Sequence, residues 1–365
     1  MRVLILDEGR AGHRNQSRAV VMALRRSFPV EESVGLCKLR LGVWQRPLRW
    51  WLNRRGGRLP LAWFGFFYKG DGIPAAVPDL IVSAGGSTVH ANVWLARMLG
   101  CPNLFCGEIR GLRPDLFQGI ISAYDSHAGK SPYLIAPTPV PIDPGGLAEK
   151  ARDLRKREGL GEARCWSLLV GGDGAGYRYT EQDWRELAAA MTKLAASHSI
   201  RWLVTTSRRS GAVAEDVLTK YLPPQIVAAA AYAGKGQGQV GYHEILGAAE
   251  RHFCTEDSHM MISEAIASGK PVVTLQPACF HTDPSNRHFL EIYQRNGWIH
   301  HHAIATLADT DFPYPTPGTQ RGPAVLDDLA TLLADWWSGL SRDSLRRQAE
   351  PGVEAGEAEQ ARGDT

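Results

Sequence analysis

Apolar positions along the chain fall into short runs that end in glycine and give way to helix-period segments. Val3–Leu6 predicts a buried strand ending in Asp7-Glu8-Gly9, and the amphipathic stretch Gln16–Arg26 predicts the helix after it. Asp79–Ser83 predicts another strand, closed by Ala84-Gly85-Gly86-Ser87-Thr88 and followed by a helix over Val89–Leu99. Strand, glycine turn and helix together are the βα unit of a parallel sheet covered by helices. Five prolines among positions 132–146 predict an extended linker. After the linker the pattern restarts: a strand at Trp166–Val170, the turn Gly171-Gly172-Asp173-Gly174, and a helix over Gln182–His198. The strand Arg201–Thr205, the turn Thr206-Ser207-Arg208-Arg209, and further elements to Leu275 complete it. Two such halves predict an α/β fold of two Rossmann-like domains with parallel sheets facing a cleft, at about 1–140 and 147–310. A helix at 320–346 is expected to pack back across the domains, and the acidic tail 350–365 to be disordered.

Composition narrows the class. The chain has 365 residues, 44% hydrophobic and 22% charged, which excludes a disordered chain, a collagen and a disulfide-stapled miniprotein. Six cysteines without a CxxC pair predict buried thiols in a reducing compartment. No run of 18 apolar residues occurs, and the first residues turn acidic and glycine-rich after six positions. Neither a membrane span nor a signal peptide is expected, and the expected place is the cytosol. The net charge of +3 conceals a division, because residues 1–70 carry 14 Lys/Arg against 4 Asp/Glu. Lys38–Lys69 holds eight of these cations, no carboxylate, and Trp44, Trp50, Trp51 and Trp63. Cations among bulky aromatics suit an anionic bilayer surface, with Trp50, Trp51, Arg54 and Arg55 as its centre. A nucleic-acid groove or a core helix with a solvated face would use the same residues.

Three glycine turns at strand ends, Gly9–Gly12, Gly85–Gly86 and Gly171–Gly176, are candidate cradles for an anionic ligand. None matches GxGxxG with an acidic residue twenty positions on, and the full Walker pattern is absent, so dinucleotide redox and NTPase chemistry are disfavoured. In Thr255–Val272, Asp257 or Ser258 would cap a helix on which Glu264 lies two turns along, where a carboxylate could accept a ribose diol. The alternative is a capped helix with a solvated glutamate. His13, beside Asp7 and Glu8, is a candidate general base, with either carboxylate as its rival, or a helix-start residue that binds an acceptor phosphate. The histidines near His281, Asp283 and His288 and the run His300–His302 fit no zinc spacing, so no metal is expected.

Several stretches carry a resemblance: Asp7–Gln16, Pro141–Pro144, Gly171-Gly172 with Tyr177, Thr205–Arg209 and Thr255–Val272. Their order is similar to that of GT-B glycosyltransferases such as the peptidoglycan enzyme that adds N-acetylglucosamine to its lipid-linked precursor. More specifically, the chain resembles the glycosyltransferase-like family that includes the plant "elongated mitochondria" fission protein. One departure is that the family's mid-chain Gly-Arg-Arg stands here as Gly85-Gly86-Ser87, which removes two cations. The resemblance implies metal-independent sugar transfer from a nucleotide-sugar, which is a substrate, with no cofactor. It implies that Glu264 binds the ribose, and that Asp257, Ser258, Ser207, Tyr242 and Gly171–Asp173 surround the donor. Asn286 would read the sugar hydroxyls, and Arg208 and Arg209 would neutralise the leaving diphosphate, unless they form a solvated turn. The acceptor would meet Gly9, Gly12, Asn15, Gln16, Gly85, Gly86 and Ser87. Membrane docking would then deliver a glycolipid, polysaccharide or lipopolysaccharide-type acceptor at the cytoplasmic face of the inner membrane, with no nucleic acid involved. A nucleotide-sugar 2-epimerase and a non-catalytic membrane-associated adaptor remain alternatives.

Overall fold

The computed structural model describes residues 1–236, 240–282, 284–312 and 324–340. The chain divides into two units, Met1–Pro141 joined by the described end of the chain from Asp327, and Ile142–Leu326.

In the first unit, β1 (Arg2–Asp7), α1 (Ala11–Leu24) and β2 (Glu31–Leu36) come first. The short strands β3 (Lys38–Leu39) and β4 (Tyr68–Lys69) pair antiparallel and bracket α2 (Gln45–Arg54) and α3 (Phe64–Phe67). There follow β5 (Leu80–Ala84), α4 (Val89–Leu99), β6 (Asn103–Cys106), β7 (Gly119–Ser122) and β8 (Tyr133–Ile135). The six-stranded sheet is parallel throughout, in the order β2-β1-β5-β6-β7-β8. Val3, Ile5, Leu80 and Ile81 are wholly buried, as expected for strands covered on both faces. The helix α1 begins five residues before the apolar pattern does, since its first turn is Ala-Gly-His-Arg-Asn and has no side-chain cap.

The proline-rich stretch is not one linker. Tyr133–Ile135 forms the edge strand β8, and Pro144 starts α5 (Pro144–Arg157), with Asp143 accepting from the Gly146 amide at 3.3 Å. Proline suits both an edge strand and a first helical position, where no N–H is required. The basic aromatic segment is also divided. Phe64, Phe67, Tyr68, Leu48 and Leu52 are buried against Trp94 of α4, and Trp44 and Trp51 pack on that core. Trp50, Trp63 and Phe66 stay exposed. The C-terminal helix, Val325–Gly339, joins the first unit, where the Trp336 indole donates to the Gln118 carbonyl at 2.9 Å. Positions 320–323 and 341–346 of the expected helix, and the tail 350–365, lie outside the described residues.

The second unit continues with β9 (Cys165–Val170), β10 (Tyr177–Arg178), α6 (Glu181–His198), β11 (Arg201–Thr206) and α7 (Gly211–Tyr221). Next come β12 (Val227–Ala231), α8 (Tyr242–Ala248), β13 (Arg251–Thr255) and α9 (His259–Ala267). Last are β14 (Val272–Gln276), β15 (Cys279–Phe280), α10 (Pro284–Arg295) and β16 (His300–Ala303). Its parallel six-stranded sheet runs β12-β11-β9-β13-β14-β16, while β10 and β15 form a separate antiparallel ribbon. Trp166, Trp202 and Phe253 interlock at its centre with ring separations of 5.2–5.9 Å. Five cysteines are buried as expected, but Cys279 on the ribbon is exposed. Among the described residues no helix is long and apolar enough to cross a membrane.

Candidate functional site

In an open α/β sheet, ligands bind beyond the carboxyl ends of the strands where the strand order reverses. In the first unit that point lies between β1 and β5, and in the second between β9 and β13. The three glycine turns singled out in the sequence follow β1, β5 and β9, and β13 is followed by Glu256-Asp257-Ser258.

At the first switch point Glu8 is buried, and one carboxylate oxygen bonds His13 Nδ1 while the other accepts from the Ser87 amide at 3.0 Å. Burial by itself would raise the Glu8 carboxyl, but the His13 and Ser87 hydrogen bonds outweigh it and hold the group at about 2. Such a carboxylate is a weak base at neutral pH, so its chemical part is to orient the imidazole. His13 Nε2 makes no hydrogen bond among the described residues, on a side chain 31% exposed. Asp7 is removed from the choice of base: it accepts from the Gly9 amide at 2.8 Å and from Arg14 Nε at 2.5 Å. Gly85 permits this arrangement, since its φ is +97° and a Cβ there would stand 2.3 Å from His13 Nδ1. Gly12, Asn15 and Gln16 lie on the first turns of α1, and Gly86 and Ser87 lead into α4.

At the second switch point the turn after β9 is filled by protein. Arg209 pairs with Asp257 at 2.9 Å, and the Gly171 amide donates to Thr255 Oγ1 at 2.7 Å. A Cβ on Gly171 would meet Asp257 Oδ2 at 2.3 Å, and one on Gly172 the Arg209 carbonyl at 2.2 Å. These glycines are thus required for close packing, and they cease to be independent signs of a phosphate. Ser207 Oγ donates to the Gly171 carbonyl and accepts from the Arg209 amide, which ties the two turns together. Burial pushes the Asp257 carboxyl up to about 6, and Thr255, the half-exposed Arg209 and the Gly172 amide only partly oppose it. Arg208 is exposed and has no carboxylate partner among the described residues.

Ser258, not Asp257, takes the N-cap of α9, without a side-chain capping bond. Glu264 is buried on that helix, and its charge adds to burial in pushing the Tyr242 phenol up. Asn286 is also buried, its amide donating to the Tyr177 hydroxyl at 3.2 Å and to Thr282 Oγ1 at 3.0 Å, so these donors serve the fold. Beside the ribbon lies a cavity of about 620 Å³ lined by Asp173, Tyr177, Phe280 and His281, among others.

The sequence reading missed Glu256. It is wholly buried, accepts from Thr274 Oγ1 at 3.0 Å and bonds His301 Nδ1, which raises the imidazole. The register of β14 and β16, which sets Thr274 opposite His301, was the missing information. Two spacings that suggest other chemistry do not build it. Gly129-Lys130-Ser131 ends in the turn into β8, with Tyr124 where a Walker pattern needs glycine. In Asp309-Thr310-Asp311, Asp309 pairs with Lys193 at 2.9 Å. Asp283 lies outside the described residues, and among those described no group of three or more His, Cys, Asp and Glu is set to hold a metal ion.

Residues 11–316 match the profile of the family described as Mitochondrial fission ELM1. The chain belongs to that family. No curated protein matches it. Among solved structures, this ELM1-family chain is similar to a protein of Listeria monocytogenes assigned as a UDP-N-acetylglucosamine 2-epimerase, at 12% identity and a TM-score of 0.56, over 93% of this chain and 98% of that one. It is similar to the UDP-GlcNAc 2-epimerase of Methanocaldococcus jannaschii at 11% identity and a TM-score of 0.53, over 92% of this chain and 100% of that one. The Escherichia coli ADP-heptose LPS heptosyltransferase II is also similar, at 14% identity and a TM-score of 0.47, over 92% of this chain and 99% of that one. At these identities the likeness to the two epimerase structures is one of fold: α/β, GT-B type, with two Rossmann-like domains.

Proposed function

We propose that this chain is a glycosyltransferase that moves a sugar from a nucleotide-sugar to a membrane-associated glycolipid or polysaccharide, without a metal ion. The observation that carries the reading is the Glu8–His13 pair at the first switch point. There His13 Nε2 would take the proton of an acceptor hydroxyl as its oxygen bonds the sugar's anomeric carbon. The bond from that carbon to the nucleotide diphosphate breaks, and the diphosphate leaves with the electron pair. Glu8 would stabilise the imidazolium. The second unit would hold the donor, with Glu264 on the ribose. Because Arg209 is committed to Asp257, Arg208 is the cation left for the departing diphosphate. Leu41, Val43, Trp50, Trp63 and Phe66 are exposed and Arg54 lies over the Trp50 ring at 5.8 Å, and an anionic membrane would receive both the rings and the cations. The chain would then work at the cytoplasmic face of the inner membrane.

The reading is tested by thermal shift with UDP-, GDP-, ADP-, TDP- and CMP-sugars. One donor should raise the melting temperature, and Glu264→Ala should abolish that rise. A panel without any shift overturns the reading, as does conversion of the donor alone to an epimer seen by NMR.

A further inference from the structure

Several cations of the first unit stand against carboxylates: Arg14 against Asp7, Arg18 and Arg25 against Glu32, and Arg113 against Asp115. The helix α2 differs. Arg46, Arg49, Arg54 and the C-cap Arg55 are exposed, and none has a carboxylate partner among the described residues. No Asp or Glu occurs between Glu32 and Asp71, so the chain around α2 supplies no countercharge. Arg46 and Arg49 lie three positions apart on one helix, where like charges repel.

The complementary charge lies further along the same chain. The C-terminal helix ends at Gly339, and residues 341–365 lie outside the described ones. From position 350 the sequence holds Glu350, Glu354, Glu357, Glu359 and Asp364 against Arg362. Leu340 lines one cavity with Gly100, the C-cap of α4. Gly57, two positions beyond Arg55, packs on the last turn of α4, where a Cβ would stand 2.6 Å from Arg97 Cγ. The described chain thus ends beside the same end of α4 that α2 reaches. Residues 341–349 can span about 30 Å, twice the roughly 15 Å length of α2. Such a tether holds the carboxylates at an effective concentration on the order of millimolar, enough to sustain a weak ionic contact.

We propose that the acidic tail, residues 350–365, occupies the α2 arginines of its own chain and is displaced by an anionic membrane. The displacement rests on the membrane part of the proposed function; the occupancy does not. The tail meets the cations alone, because it carries no aromatic and no aliphatic side chain larger than Val353 to cover the exposed Trp50 and Phe66 rings. A bilayer offers phosphates to the cations and an interface to the rings, so it outcompetes the tail. The tail then raises the amount of anionic lipid that the chain needs for binding.

The full chain would carry a nitroxide label at Ala358→Cys in a Cys279→Ser background, since the remaining cysteines are buried. At low salt the label should broaden the Trp50 indole N–H signal, assigned with Trp50→Phe, and leave that of the buried Trp184 sharp. Raising the salt to about 0.5 M should restore the Trp50 signal, and so should Glu350→Gln, Glu354→Gln, Glu357→Gln, Glu359→Gln and Asp364→Asn together. In a second arm, this tail-neutral full chain should bind vesicles of phosphatidylcholine and phosphatidylglycerol in equal parts about fivefold more tightly than the parent. Arg54→Ala with Arg55→Ala should remove that difference. A sharp Trp50 signal in the labelled parent overturns the proposal. Broadening passed to isotope-enriched chains mixed with labelled ones overturns it too, because the tail then sits on a second copy. Equal vesicle binding by parent and tail-neutral chains overturns the displacement. Broadening with no vesicle binding by either chain supports the occupancy and overturns the membrane part of the proposed function.

Discussion

Glu8 and Asp257 are both buried carboxylates at strand ends, and their surroundings drive them in opposite directions. For Glu8 the folded value falls from 4.5 to about 2, so its contribution to stability is present above 4.5 and is lost as pH drops through 2. The variant Glu8→Gln should therefore flatten the fall in melting temperature across that acid window, measured by a pH series. For Asp257 the folded value rises from 3.8 to about 6, so its contribution is present below 3.8 and is lost as pH rises through 6. Asp257→Asn should hold its melting temperature between these values, where the parent protein loses some. Residue types and spacing made His13, Glu8 and Asp257 visible in the sequence. Their division into an orienting carboxylate, a candidate base and a packed one depends on burial and on partners far away in sequence.

At the scale of elements, the long helices and central strands were legible because their apolar periods are unbroken: α4 starts and ends at Val89 and Leu99, as read. The ribbon of β10 and β15 was not, because Tyr177 and Phe280 pair across about a hundred positions and each strand has only two residues. The glycine turns were legible as turns, but what each glycine packs against was not. Gly9 and Gly85 both have positive φ, but a Cβ on Gly9 would meet nothing within 4 Å while one on Gly85 would strike His13. Gly9→Ala should thus cost only backbone strain, about 1–2 kcal/mol, with Gly85→Ala costing clearly more, as read by urea denaturation. Equal losses would show that the His13 contact contributes nothing.

For the whole molecule, the basic aromatic segment and the C-terminal helix are the features with the longest reach. If the exposed aromatic face meets a membrane, sedimentation with anionic vesicles should drop on Trp50→Ala with Phe66→Ala. It should fall again with salt or with Arg54→Ala and Arg55→Ala. Trp51 is a useful control, since it packs on the core and its loss should lower stability instead. Removing the chain from Val325 would strip Leu329, Leu333 and Trp336 from their packing. At about 2 kcal/mol or more for each large side chain, the melting temperature should fall by several degrees.

The sequence by itself determined the two βα-rich halves, the glycine turns that end their strands, and the concentration of cations and tryptophans in one segment. These are local properties, set by periodicity, backbone freedom and charge within a few residues. Only the tertiary structure decided which aromatics are core and which are surface, that Asp257 and Arg209 fill the turn after β9, and that Glu256 meets His301. It alone set Arg110 over Gly86 and buried the His90 ring without a hydrogen-bond partner. Each of these depends on strand order and helix packing, which bring together residues tens of positions apart, and no local pattern encodes such a meeting.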